Sequence, residues 1–151
     1  MTVVCRIAQP ADLPALQALY AELIPEEAPC LAEMAAALAR MEASGLSAVF
    51  VAEDQSGVIG TFQLVIYDNL VRAPRRKAMI DSVIVRHDRR GVGIGRQLMA
   101  HAVVVAAERG CCRVGVSTAF RRQVAQSFYD TLGFGRFGYH YLYPVSSAPE
   151  H

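Results

Sequence analysis

The chain has 151 residues, 53% of them hydrophobic and 19% charged, with 15 basic against 14 acidic side chains. This composition excludes a disordered, collagenous or low-complexity protein, and at this length roughly 68–70% of the unfolded surface can be buried, enough for one domain without disulfides or a structural metal. A formal net charge of +1, with the basic residues scattered, leaves no footprint for a nucleic-acid backbone.

Val3 to Ile7 reads as a short strand. Asp12 is placed to N-cap a helix in which Leu13, Leu16, Leu19, Tyr20 and Leu23 recur at helical spacing. Leu31, Met34, Ala35, Leu38 and Met41 form the apolar face of a second helix, stopped by Gly45. Ser47 to Glu53 and Val58 to Tyr67 read as a hairpin around Asp54-Gln55-Ser56-Gly57, because Phe62, Leu64 and Ile66 alternate with Thr61, Gln63 and Val65. After a loop carrying Arg72, Arg75, Arg76 and Lys77, Ala78 to Val85 is an apolar run interrupted by Asp81 and Ser82, and is expected to be a central strand. A glycine cluster then opens a helix reaching about Glu108, expected to be mostly buried, with Gln97, His101 and Glu108 as its narrow polar stripe. Arg113 to Ser117 reads as a strand, and Arg121 to Leu132 as a helix with Val124, Phe128 and Leu132 as core stripe and Gly133 as stop. Tyr139 to Tyr143 reads as a last strand. The order gives a single mixed α/β domain over residues 1–144, with a polar tail at 145–151 and no internal repeat.

No apolar run is long enough for a transmembrane helix, so no membrane association is expected. Met1 to Arg6 lacks the basic start and apolar stretch of a signal peptide, which makes the cytoplasm the default location. Cys5, Cys30, Cys111 and Cys112 contain no C-x-x-C pair and the four histidines lack ligand spacing. No metal is therefore expected, and the cysteines read as buried, reduced thiols.

Two segments carry chemistry. Arg90-Gly91-Val92-Gly93-Ile94-Gly95 lies between an apolar strand and a buried helix. Glycines there allow positive φ and close approach of a ligand, and the helix that follows offers unpaired N–H groups and the positive end of its dipole, a cradle for a pyrophosphate. Arg96 replaces the third spaced glycine of a dinucleotide fingerprint and no Gly-Lys-Ser/Thr follows, so the pattern is neither that fingerprint nor a P-loop. The second segment is Phe128-Tyr129-x-x-Leu132-Gly133-Phe134, in which Tyr129 is about 100° round the helix from Phe128 and can present its phenol to a cleft.

With the strand Met79-Ile80-Asp81-Ser82-Val83-Ile84-Val85, these motifs make the chain, over about residues 2 to 144, resemble the GNAT N-acetyltransferase superfamily. The resemblance implies a mixed sheet of about six to seven strands, splayed between the fourth and fifth, with four helices on both faces. It implies acetyl-CoA as cosubstrate and direct attack by a primary amine, for which a small molecule is the expected acceptor. The backbone of Gly91, Val92, Gly93, Ile94, Gly95 and Arg96 would hold the diphosphate, with Arg90 and Arg96 adding charge. Val83, Ile84 and Val85 would align the pantetheine arm, with an N–H near Val83 facing the developing oxyanion. Tyr129 is the implied acid for the CoA sulfur, and Asp81 stands where many members carry a glutamate that receives the amine's proton. The shorter aspartate favours a water relay, and a pairing with Arg76 is its structural alternative. Arg122 replaces an asparagine that often contacts the cofactor, so that contact does not carry over. The family's acceptor elements correspond to Glu26, Glu27, Tyr67, Asp68, Tyr139 and Tyr141; the two glutamates suit a cationic amine, whereas Arg72, Arg75 and Arg76 suit an anionic acceptor. Family members are often dimers, which leaves a homodimer open.

Gly115-Val116-Ser117-Thr118-Ala119 falls one residue short of a nucleophile elbow and lacks the ordered Asp and His, which sets a serine hydrolase aside. An acyl-CoA-binding sensor without catalysis, on the same fold, is the alternative.

Overall fold

The computed structural model describes residues 2–145, so all but the first residue of the expected 145–151 tail lies outside the described residues. The chain divides into two compact units, Met1–Val116 and Ser117–His151.

In the first unit β1 (Val4–Ile7) is followed by α1 (Leu13–Leu23), α2 (Leu31–Ser44), β2 (Ser47–Asp54), β3 (Gly57–Asp68), β4 (Arg76–Val85), α3 (Ile94–Glu108) and β5 (Cys111–Val116). The strands form one sheet in the order β1-β2-β3-β4-β5. All neighbours are antiparallel except β4 and β5, which α3 joins as a parallel crossover. Asp12 does not cap α1 as expected: its carboxylate accepts the Gln9 amide at 2.7 Å and both Arg6 Nη groups at 2.8 and 2.9 Å. Two guanidinium donors and an amide outcompete the helix's own N–H groups for the same oxygens. Gly45 ends α2 in the left-handed region at φ +66°, as expected of a helix stop.

The sheet separates two layers. On one side Phe50 stacks on Phe62 at 5.0 Å between ring centres, and α3 lies over them with Leu98 and Met99 fully buried. Gly60 is needed there: a Cβ would come within 3.0 Å of a Leu98 methyl and 3.2 Å of the Ile84 carbonyl. His101 leaves the expected polar stripe and packs edge-on against both rings, at 5.6 and 6.4 Å. Conversely Val103 and Val104 are about half exposed, so α3 buries one face, not most of its surface. On the other side Leu13, Leu16 and Leu38 pack on Val49 and Val51, which alternate with Phe50 and therefore point the opposite way.

Pairing of β4 with β5 runs from Arg76↔Cys111 to Ile80↔Val116 and stops there. Residues 81–85 continue along β3 past the end of β5 at Val116.

The second unit contains α4 (Gln123–Thr131), stopped by Gly133 at φ +86°. α4 buries none of its residues, and Val124, expected in its core stripe, is 87% exposed. The expected last strand, Tyr139 to Tyr143, is irregular, so the described residues hold five strands rather than six or seven. The alternating aromatics carry strand propensity, but residues 139–143 are exposed on both sides and bury no face, and without a partner strand their backbone groups gain nothing from extending.

Candidate functional site

The site is built first by the connection between β4 and α3. Gly91 and Gly93 lie at φ +77° and +91°, and a Cβ at either would meet nothing within 4 Å. Backbone geometry, not crowding, therefore demands glycine, and the space in front of the loop is clear. Gly93 starts α3 without a side-chain cap, and the first amide of the loop bonded within the helix is that of Gln97, to the Gly93 carbonyl at 3.1 Å. The N–H groups just before it are those a helix leaves unsatisfied at its positive end. Ile94 is buried and anchors this turn, while Gly91, Val92, Gly93 and Arg96 face solvent and Gly95 is half-buried.

Arg90 is anchored at the start of the loop: its Nε donates to the Val85 carbonyl at 2.9 Å and its Nη2 to Glu22 at 3.3 Å. His87 joins the same carboxylate, its amide donating at 3.1 Å. Arg89 pairs with Asp54 and Asp88, and Arg86 with Asp88. These bonds tie the connection to α1 and to the β2–β3 turn, so the glycine loop is held from behind by its own arginines.

The second element is an irregularity in β4. Thr61 pairs with Ile84 and Gln63 with Asp81, so Ser82 and Val83 together face Phe62. This is a β-bulge, and Ser82 takes φ +51°, a left-handed angle unusual for a residue other than glycine. Its amide donates to the Asp81 carboxylate at 2.7 Å. Asp81 is exposed and does not pair with Arg76, which bonds Asp68 at 3.2 Å instead. Val83 and Val85 are half-buried and Ile84 is buried.

Third, a cavity of about 280 Å³ opens between α1, α2 and the sheet. Leu16, Leu23, Ile24, Met34, Leu38 and Met41 contribute its apolar walls; Tyr20, Glu27, Gln63 and Ser82 are the residues with polar side chains that line it. Burial pushes the Tyr20 phenol above its ordinary range, the Thr61 side chain partly offsetting this and the Asp81 charge adding to it. Thr61 is fully buried and donates to the Phe50 carbonyl at 2.7 Å.

In the second unit Tyr129 is half-buried, with its ring 5.3 Å from Phe128 and 5.8 Å from Phe134. Tyr139 and Tyr141 are exposed there.

Of the acceptor residues expected in the first unit, the cavity takes only Glu27; Glu26 is exposed in the same turn, and Tyr67 sits opposite Lys77 on β3. Tyr20, Thr61, Gln63 and Ser82 were not anticipated. A phenol inside an otherwise aliphatic helix stripe and the two polar residues that flank Phe62 on β3 are signals that could have found Tyr20, Thr61 and Gln63. Cys30 and Cys112 are exposed rather than buried, Cys5 and Cys111 half-buried, all four with free thiols. Among the described residues no cluster of His, Cys, Asp and Glu is arranged to hold a metal ion, and no helix is long and apolar enough to cross a membrane.

A provisionally named acetyltransferase of Agrobacterium tumefaciens str. C58 superimposes with a TM-score of 0.86 at 33% identity, covering 93% of this chain and 99% of that one. An aminoglycoside N-acetyltransferase solved in complex with CoA shares the fold, with a TM-score of 0.82 at 19% identity over 95% and 94% of the two chains. Glucosamine 6-phosphate N-acetyltransferase of Trypanosoma brucei brucei is 28% identical over 95 residues, which span 63% of this chain and 63% of that protein. The model of the Acetyltransferase (GNAT) family matches residues 14–134, from α1 through the glycine loop to the end of the Tyr129 segment, and the chain belongs to that family.

Proposed function

We propose that the protein transfers the acetyl group of acetyl-CoA to a primary amine of a small molecule by direct attack in a ternary complex. The observation that carries this reading is the glycine loop at the start of α3, uncapped and open in front, in a chain of the GNAT family. Its residues fit a diphosphate: the amides of Gly91 to Arg96 would bind it, with Arg96 adding charge, while Arg90 serves to fix the loop. Acetyl-CoA supplies a thioester whose acyl carbon an amine can attack without a covalent enzyme intermediate.

The chain's own groups then have three tasks. The edge of β4 beyond Ile80, released from β5, lets Val83, Ile84 and Val85 align the pantetheine arm, and the bulge at Ser82 and Val83 offers an amide to the developing oxyanion. Asp81, exposed and free of Arg76, takes the proton that the amine loses, through water. As the C–N bond forms and the C–S bond breaks, Tyr129 returns a proton to the sulfur, giving the amide and the free thiol.

Release of CoA thiol from acetyl-CoA, measured over a panel of acidic, neutral and basic amines, tests the reading. Turnover with at least one amine class supports it, and binding of acetyl-CoA without thiol release returns the chain to a sensor. Gly93→Val should abolish acetyl-CoA binding in calorimetry, because a branched side chain resists φ +91° and fills the space in front of the loop. Tyr129→Phe should lower kcat by at least about tenfold while leaving acetyl-CoA affinity intact.

A further inference from the structure

One carboxylate reaches the glycine loop from a distant part of the chain. The end of β4 leads into a short 3-10 turn, His87–Arg89, closed by the Arg89 amide on the Arg86 carbonyl at 2.9 Å. Arg86 gives this turn no side-chain cap, and its first amide, that of His87, donates instead to Glu22 Oε2 at 3.1 Å, on α1 and 65 residues away in sequence. The same oxygen accepts Arg90 Nη2 at 3.3 Å, and Oε1 lies 3.1 Å from His87 Nδ1. Arg90 Nε meanwhile donates to the carbonyl of Val85, the last residue of β4. The residue just before Gly91 is thus fixed to the end of a strand and, through Glu22, to a helix rooted in the core by Leu13, Leu16 and Leu19.

We propose that Glu22 is a positioning residue: acting through Arg90 and the His87 amide, it holds the glycine loop in the shape that binds a diphosphate. The proposal rests on the acetyl-transfer reading for its ligand and adds the residue that shapes the ligand's seat. Gly91 and Gly93 take φ +77° and +91°, angles that glycine adopts freely but pays for in entropy when it is ordered. Amides bind an anion strongly only where they converge on it, so an anchor at the residue before Gly91 removes part of the ordering cost before the ligand arrives. The side chains of His87 and Arg90 are 74% and 58% exposed, and ion pairs that wet add little to global stability. Removal of the carboxylate therefore falls on affinity, not on folding.

The test measures acetyl-CoA binding by calorimetry, together with chemical denaturation midpoints, in wild type, Glu22→Ala, Glu22→Gln, Arg90→Ala and the double variant Glu22→Ala/Arg90→Ala. Glu22→Ala should raise the acetyl-CoA Kd by at least about tenfold at an unchanged midpoint, as small displacements of a binding loop do. Glu22→Gln keeps an oxygen for the His87 amide but loses the charge that Arg90 meets, and should recover affinity to within about threefold of wild type. In the thiol-release assay the Glu22→Ala defect should lie in the acetyl-CoA KM, with kcat unchanged. The Glu22→Ala loss should also be smaller when Arg90 is already alanine. Unchanged or tighter binding in Glu22→Ala overturns the proposal while acetyl transfer stands, as do full additivity with Arg90→Ala and an affinity loss that tracks a fall in the midpoint. If wild type binds no acetyl-CoA, the acetyl-transfer reading fails and hydrogen exchange alone decides the anchor, read at the Arg89 and Gln97 amides, which bond Arg86 and Gly93 on either side of the loop. Exchange at least about tenfold faster in Glu22→Ala keeps Glu22 as the loop's anchor, and equal exchange ends it.

Discussion

The two faces of the central sheet are made by alternate residues of the same strands, yet they differ in kind. Toward α3, Phe50, Phe62 and Leu64 are buried against Leu98 and Met99, and even Gly60 is spoken for by a Leu98 methyl. Toward α1 and α2, Thr61, Gln63 and Asp81 interrupt the apolar surface and a cavity remains. The period of two along a strand lets one segment serve both purposes: one set of side chains supplies the packing free energy, and the other is left to carry polar groups that packing alone would reject. Stability and chemistry are thus divided by a few ångströms of backbone.

Substitutions on either face can break this comparison. The largest effect belongs to Phe62→Ala on the packed face, expected to cost about 3–5 kcal/mol in chemical denaturation, since a fully buried ring stacked on Phe50 leaves a cavity that α3 cannot collapse into. A loss below about 1 kcal/mol would mean that this face is not the stabilising one. Thr61→Val on the opposite face keeps the volume but removes the hydroxyl bonded to Phe50, so about 1 kcal/mol should be lost, while the amine KM shifts because Tyr20 loses its neighbour; acetyl-CoA affinity should not change. The smallest effect sharpens the contrast at the hairpin that both faces share. Asp54 accepts the Ser56 hydroxyl and amide at 2.6 and 2.7 Å and Arg89 at 3.0 Å, and the Ser56 bonds, then Arg89, hold its pKa down to about 2. A depressed carboxylate stabilises the fold fully above its unfolded value near 3.8, and this contribution is lost as the pH falls through about 2. Denaturation midpoints followed from pH 5 to 2 should therefore decline less in Asp54→Asn than in wild type; equal slopes would remove Asp54 from the acid response.

Much of this was legible in the chain. Helical spacing from Leu13 to Leu23, the Asp54-Gln55-Ser56-Gly57 turn and the stops at Gly45 and Gly133 all stand where local pattern placed them, because each depends on neighbours a few residues away. Gly91 and Gly93 were readable for the same reason: only glycine takes their angles without strain. His101 was misread because its helical stripe says polar while its partners, Phe50 and Phe62, come from strands about 50 and 40 residues earlier. Tyr139 to Tyr143 has strand-like alternation, but pairing requires another strand, which no local pattern can supply.

By itself, then, the amino-acid order determined the class of fold, the run of helices and strands through β5, and the loop and strand on which the family membership rests. Only the tertiary structure decided that Arg90 bonds the Val85 carbonyl and Glu22, that β4 bulges at Ser82, and that Tyr20, Glu27 and Gln63 share a cavity with aliphatic walls. The physical reason is range: turn angles and amphipathic periods are set within one or two turns of chain, whereas ion-pair choice, strand register and empty space arise only when distant segments compete for the same contacts.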